Sequence, residues 1–324
     1  MRSRTSASLI LLGCSLFLTA ALARAQEPQL FLTDQRAFGQ LGPAPSSQPQ
    51  SEPVEYSDEL GTIHPLITLR YDPFQAYSET SYLYDDNILL TYHKPVHDEI
   101  LDQVLGASYS PRLFEDLKTT VYGQYYYDHY NSKTAFDFDG EQLGIDLAYP
   151  LVKPPIPYHQ ENTVSAWTLY GDASYERLNL TDGDILFFGM VDARLGLRCD
   201  FNAILTLWNG VTQRIAPYYG YQLDWRNCYP SILSRGDNTI FLGANTQLLR
   251  KLFLQVQAEA QYESYLNFNR SDLAETLSAS FVYRICDNAS LNLNGLFANN
   301  NSSRNTFSYR VINAGPNITL QVRF

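Results

Sequence analysis

Asp172, Glu176, Asp192, Arg194, Arg198, Asp224, Arg226, Glu259, Glu263 and Arg284 lie in runs where polar and apolar residues alternate. On a strand such residues share one face, and carboxylates and guanidiniums on a wet wall sort ions by charge. The reading singles out Asp172, Asp192, Arg194, Arg198, Glu259, Glu263 and Arg284 as lumen residues that set selectivity. If the interior is narrow, the same charges pair with one another and plug it.

Other reactive groupings lead less far. His93-Lys94-Pro95-Val96-His97-Asp98 holds two imidazoles and a carboxylate, but Pro95 denies them the helix that would bring both to one ion, so a solvated loop is expected. Asp85-Asp86-Asn87 offers calcium adjacent oxygens that would point to alternate faces of a strand end. His129, in Tyr125-Tyr126-Tyr127-Asp128-His129-Tyr130, is the best candidate for a general base. No serine in a nucleophile context accompanies it, and a place among rim aromatics explains it more simply. No catalytic residue, metal or cofactor is expected.

The elements that hold these residues read as strands. From Leu252 to Glu263, Leu252, Leu254, Val256, Ala258, Ala260 and Tyr262 alternate with Phe253, Gln255, Gln257, Glu259, Gln261 and Glu263. Such a strand has one face for lipid and one for water, and it reaches the roughly 9 to 11 residues that cross a bilayer. Phe187 to Arg198 and Leu273 to Ile285 repeat the pattern. The chain ends on Pro316, Ile318, Leu320, Val322 and Phe324, again at alternate positions, with a terminal aromatic. That ending resembles the C-terminal signal read by the outer-membrane assembly machinery, with Ile318, Leu320, Val322 and Phe324 as its apolar positions.

Arg2 and Arg4 precede an apolar run from Leu9 to Leu22, and Ala23-Arg24-Ala25 supplies a cleavage site, so residues 1–25 read as a signal peptide. Hydrophobicity continues beyond Cys14, which argues against a lipid attachment there. Residues 26–65, rich in Pro, Ser and Gln, read as a disordered periplasmic leader, and 66–324 as the barrel. Leu30, Phe31, Leu32 and Phe38 form a small apolar group in the leader that could bind a partner or plug a pore.

The 24 tyrosines outnumber 17 Phe and 3 Trp, as suits rings at the edges of a bilayer. Without Arg2, Arg4 and Arg24 there remain 20 Lys and Arg against 34 Asp and Glu, about 14 net negative charges, so nucleic acid is an unsuitable partner. Cys199, Cys228 and Cys286 match neither a zinc nor a Cys-x-x-Cys pattern; one disulfide and one free thiol are allowed, and incidental cysteines at strand ends are the simpler reading.

Counting between turn-like breaks gives about twelve strands: 74–91, 101–110, 117–131, 139–150, 162–178, 184–199, 203–226, 237–249, 251–267, 271–286, 289–299 and 307–324. An even count returns the chain to its starting side. The Pro150–Pro157 stretch is long for an inner turn and puts the count in doubt by one hairpin; its prolines exclude it from a central strand. The 203–226 segment is too long for one crossing and suggests a bulge near Gly210 or Pro217.

The opening strand, with Tyr77, Tyr82, Tyr84 and then Tyr84-Asp85-Asp86-Asn87-Ile88, resembles that of the β-barrel porins of type 2. The resemblance implies an outer-membrane barrel of the porin kind, some of whose relatives are associated with exported polysaccharide, and carries over no functional residues. The expectation is therefore an all-β, transmembrane, antiparallel up-and-down barrel of about 12 strands in the outer membrane. Its partners are the lipid bilayer, the assembly machinery, and small hydrophilic solutes or saccharides; an oligomer is allowed, but no interface is displayed. Its rivals are a non-enzymatic accessory barrel for exopolysaccharide export or anchoring, and a soluble β-sandwich.

Overall fold

A computed structural model describes residues 73–91, 95–114, 116–152, 165–181, 185–201, 203–206 and 212–324. The stretches read from sequence as a signal peptide and a leader with its apolar group, and His93, lie outside the described residues. Alternation does what it predicts: the described chain is a single antiparallel sheet closed on itself. Its strands are β1 (Phe74–Asp85), β2 (Asp98–Tyr109), β3 (Lys118–Tyr130), β4 (Phe138–Val152), β5 (Ser165–Leu180), β6 (Ile185–Phe201) and β7 (Ala203–Thr206). They continue with β8 (Thr212–Tyr229), β9 (Arg235–Leu249), β10 (Leu252–Tyr265), β11 (Ser271–Cys286), β12 (Ala289–Ser302) and β13 (Tyr309–Arg323). Both β6 and the short β7 pair with β8, so thirteen strands fill twelve positions of a ring that β1 and β13 close.

Two boundaries differ from the sequence reading. The first strand stops at Asp85 and not at residue 91, because Asp85 Oδ1 accepts the Asn87 N–H at 2.7 Å and turns the chain out of the ladder. The 203–226 segment is a hairpin limb on each side of a reversal: Thr206 lies opposite Thr212, and β8 proper begins there. Gly210 falls outside the described residues. Around Pro217 the register with the preceding limb is unchanged, Asp200 lying opposite Tyr218 and Ala203 opposite Ile215, so the proline does not bulge the ladder. Pro150, Leu151 and Val152, excluded from a central strand by the sequence reading, are the last residues of β4. Pro150 sits beyond the last residue paired with β3, with a register shift beside it, which is a place where no donor is needed. Residues 153–164 lie outside the described set.

At one end, the turn end, β9 to β10 and β11 to β12 connect through two residues each; the opposite, loop end carries the 86–97 connection and three 3₁₀ turns. Apart from β7, the strands run 12 to 18 residues, enough to cross a bilayer. Their outward side chains form a band of Leu105, Leu143, Leu195, Leu242, Leu277 and Leu293, all exposed. Aromatics flank it, with Phe74, Tyr109, Tyr149, Tyr283 and Phe324 toward the turn end and Tyr82, Tyr84, Tyr175, Trp225 and Tyr262 toward the loop end. An exposed apolar band between aromatic edges is the surface of a barrel seated in lipid. Among the described residues no helix is long and apolar enough to cross a membrane. The soluble-sandwich rival is set aside by the closure of the ring, which leaves no second sheet to cover these faces.

Closure brings β1 and β13 unusually close at Gly315, where a Cβ would stand 1.9 Å from the Tyr82 carbonyl oxygen. Only glycine fits there. Gly315→Ala must push the seam apart, and the expected loss is about 1–3 kcal/mol, the usual cost of overpacking. Thermal unfolding in detergent, followed by the shift between folded and unfolded bands on a gel, measures it; unchanged unfolding would show that the seam yields freely.

Candidate functional site

The inward face is the one that can do chemistry. A cavity of about 580 Å³ lies inside the barrel. It reaches from Gln75, Ser110 and Lys118 near the turn end to Leu83, Ile100 and Met190 beneath the loop end. Its walls differ in character. β10 to β13 contribute Gln255, Gln257, Asn292, Asn294, Asn313 and Asn317 but no charge, whereas β1 to β8 bring carboxylates and cations in a ratio of seven to three.

The charges are organised by strand pairing. Asp146, Asp172, Arg194, Asp224, Asp237, Glu263 and Asp272 lie directly opposite one another on successive strands, from β4 to β11. The row begins near the turn end of β4 and finishes at the loop end of β11, so it climbs the wall as a spiral. One pair further up, Asp192, Arg226 and Arg235 form a second row. The rows bind each other through Arg194, whose Nε donates to Asp224 Oδ1 at 2.6 Å and lies 3.4 Å from Asp172, with its Nη2 3.5 Å from Asp192. Arg226 lies 3.6 Å from Asp192 and 3.5 Å from Asp237; Arg235 lies 3.1 Å from Asp237 and 3.3 Å from Glu263. Each of these guanidiniums serves at least two carboxylates, which offsets the cost of desolvating them.

Tyrosines smooth the wall between the charges. Tyr77 lies over Gly106 and donates to Gln124 at 2.8 Å, Tyr170 over Gly196 to Gln222 at 2.9 Å, and Tyr218 over Gly243 to Gln257 at 2.7 Å. In each case the ring starts on one strand, crosses a glycine on the next and bonds to the third. The glycines are the space in which these rings rest.

All seven residues proposed from sequence for the lumen stand at inward positions. Asp172, Asp192, Arg194 and Glu263 belong to the network. Arg198 pairs with Asp200 at 2.7 Å and covers the Tyr218 ring, Arg284 lies over Phe253, and Glu259 accepts from Gln257 at 3.3 Å. The sequence reading did not single out Asp146, Asp237, Arg235, Arg270 or Asp272. Their inward parity was the available signal, but Arg235, Arg270 and Asp272 sit at strand starts, where parity is hardest to fix. Ile318, Leu320, Val322 and Phe324 all point outward, between 49% and 58% exposed.

The remaining candidates have structural partners. His129 faces outward, stacks on Tyr127 and meets Asp137 at 2.7 Å; among the described residues no serine hydroxyl bonds to it. His97 is exposed beside Tyr84, and Asp98 accepts the Ser132 and Lys133 N–H groups at 3.1 and 2.9 Å. Cys199, Cys228 and Cys286 are all free thiols, the first two buried.

The 86–97 connection holds what the sequence reading did not foresee. Asp86 exchanges hydrogen bonds with the Ile312 backbone, and Asn87 Nδ2 donates to the Thr91 and Arg310 carbonyls at 3.0 and 2.8 Å. The Asp85-Asp86-Asn87 oxygens are thus spent on backbone and not gathered around a cation. Beyond them Ile88 is buried with Ile100, Tyr126, Phe138, Leu178 and Phe188, and Leu90 with Ala298, Tyr309 and Val311. Burying each aliphatic chain contributes about 1.5–3 kcal/mol. That offsets the φ of 45° at Leu90, a conformation that costs roughly 1–2 kcal/mol.

Fold and interior together define a transmembrane β-barrel with a polar, charge-organised lumen. No protein-family model matches the sequence, and no curated protein matches it. Solved structures that it resembles include the KdgM porin in complex with disordered oligogalacturonate, at 10% identity and a TM-score of 0.37, covering 75% of this chain and 98% of that one. An outer membrane channel from Pseudomonas putida F1 gives 8%, 0.45, 81% and 100%, and the anion-selective porin from Comamonas acidovorans 8%, 0.35, 77% and 98%. At such identities and scores these likenesses say nothing of solute or site; the class rests on the closed ladder and its two faces.

Arg194→Gln strands three carboxylates around one vanished cation and is expected to cost about 3–5 kcal/mol, as breaking a buried pair does. Arg198→Gln, whose partner Asp200 is 40% exposed, should cost under about 1 kcal/mol. Denaturant unfolding of both in detergent measures the difference, and equal losses would mean that the network is not a unit.

Proposed function

We propose that the chain is an outer-membrane channel for small hydrophilic solutes, non-enzymatic, exported by residues 1–25 and inserted through the strand that ends in Ile318, Leu320, Val322 and Phe324. The observation that carries this reading is the polar cavity of about 580 Å³ inside an apolar-walled ring. Carboxylates outnumber cations along it, which supports a preference for cations, with Asp172, Asp192, Arg194, Arg198, Glu259, Glu263 and Arg284 joined by Asp146 in shaping it. The uncharged Gln and Asn wall of β10 to β13, facing flat tyrosines, favours one second reading, a saccharide-handling accessory barrel. Amides bond to sugar hydroxyls as readily as to water.

Planar-bilayer recording of the refolded protein tests the pair. Stable conductance steps with a cation-selective reversal potential are expected without added sugar; silence relieved or modified only by saccharide would favour the second reading. Asp146→Asn with Asp172→Asn should reduce the cation-to-anion permeability ratio by about tenfold per charge, because the ~0.7 kcal/mol of a unit charge at ~6 Å in water favours the cation and disfavours the anion alike. An unaltered ratio would remove these two residues from the selectivity set.

A further inference from the structure

The inner wall changes character near the loop end. Below, the cavity is lined by amides, charges and tyrosines; above, inward positions of β2 to β6 carry Ile100, Tyr126, Phe138, Leu178, Phe188 and Met190, with the buried Asp128 among them. Ile88 packs into this apolar layer, and Leu90, two residues on, packs into a separate one from β12 and β13. A four-residue stretch, Asn87 to Leu90, thus joins two sides of the barrel mouth. On β10 to β12 the same end carries Arg270, which pairs with Asp272 and lies over the Tyr265 and Phe307 rings at 4.3 and 4.1 Å.

We infer that Asn87–Leu90 is a stopper that closes the loop end of the lumen and must leave for solute to pass. This rests on the channel reading above and deepens it by naming the gate. The backbone of the wall is fixed by the ladder and cannot move without opening the barrel. The stopper is not in the ladder: Leu90 N–H bonds back to Asn87, Ile88 N–H to Val96, and the Asn87 side chain donates to the Arg310 carbonyl. Releasing it breaks apolar packing and few hydrogen bonds, while Asp86, stitched to Ile312 on β13, remains as the anchor on which it swings. In the closed state the cavity is a well with Gln75, Ser110 and Lys118 toward its turn end and an apolar roof. Solute then meets Asp146, Asp172 and Arg194 before it meets the gate.

Two variants test this in planar bilayers. Leu90→Cys with Ala298→Cys, made with Cys199, Cys228 and Cys286 replaced by Ser, joins the stopper to β12 on oxidation. Ile88→Asp with Leu90→Asp expels it by placing charge in an apolar layer. The oxidised lock should be silent and reduction should restore the unlocked level, while the double Asp variant should raise the open fraction about tenfold or more, by removing packing present only in the closed state. Silence of the reduced pair alongside conduction by the Asp variant supports the stopper as well, with a strongly closed resting state. Equal conduction by oxidised and reduced protein, with the crosslink verified on a gel, overturns the stopper and leaves the channel reading standing. Silence of every folded form, the Asp variant included, overturns both. Should the Asp variant not fold, the lock, which serves as its own control through reduction, decides alone.

Discussion

Everything in this molecule depends on closing one hydrogen-bond ladder. In lipid an unsatisfied backbone group costs several kcal/mol, so a sheet can cross only if its first strand meets its last. Here Phe74 and Phe324 exchange backbone hydrogen bonds at 3.1 and 3.0 Å, and β1 lies along β13 in constant register. The β1–β13 ladder lapses where little is lost, opposite Gly315-Pro316, with the register the same on either side. A proline has no N–H to leave orphaned, so this position relaxes the ring without exposing that donor to the bilayer.

Closure with alternation then dictates the interior. Every second side chain must point inward, and a strand rich in Asp, Glu and Arg has nowhere else to put them. The pairing register converts them into a spiral row, because residues directly opposite on tilted strands advance along the axis from one strand to the next. Attraction between neighbouring rows explains why Arg194, Arg226 and Arg235 each reach two or more carboxylates. The network stiffens β5 to β10. The opposite quarter, β11 to β13, carries amides and hydroxyls joined by short links such as Ser280 to Asn294 at 2.6 Å and Asn292 to Asn317 at 2.9 Å.

Strands were legible from sequence because the period of two is imposed by lipid on one side and water on the other, and runs such as Leu252–Glu263 obey it without a break. Legibility failed where a different constraint governs. The 203–226 segment reads as one run since both limbs of its reversal are strand-like in composition. The opening strand reads on to residue 91 because Ile88, Leu89 and Leu90 continue its apolar content, although their burial is against the lumen and not toward lipid. Partners of the charges were not legible, since which Arg reaches which Asp is set by register across strands that lie tens of residues apart. One hint was present: Phe138, Leu178, Phe188 and Met190 place apolar side chains on the otherwise polar parity, all near the same end. A polar face that turns apolar at one end is a face with something packed on it.

That change of wall has a physical consequence for any passage. Water inside a tube whose walls are amide and carboxylate is replaced easily by a hydrophilic solute, because the hydrogen bonds that water gives up are remade by the solute's own polar groups. At the loop end one side of the wall offers Phe138, Leu178 and Phe188, with the Tyr126 hydroxyl already bonded to Glu176, so a wet mouth there would expose apolar surface that Ile88 now covers. The hydrophobic effect therefore opposes opening, and the opposing force scales with the apolar area uncovered. On β4 to β6 the charged row, Asp146, Asp172 and Arg194, lies below the apolar layer and contributes little to this balance. Affinity for a solute and resistance to its exit are thereby placed on separate stretches of the same strands, the first by parity within the polar segment and the second by composition within the apolar one.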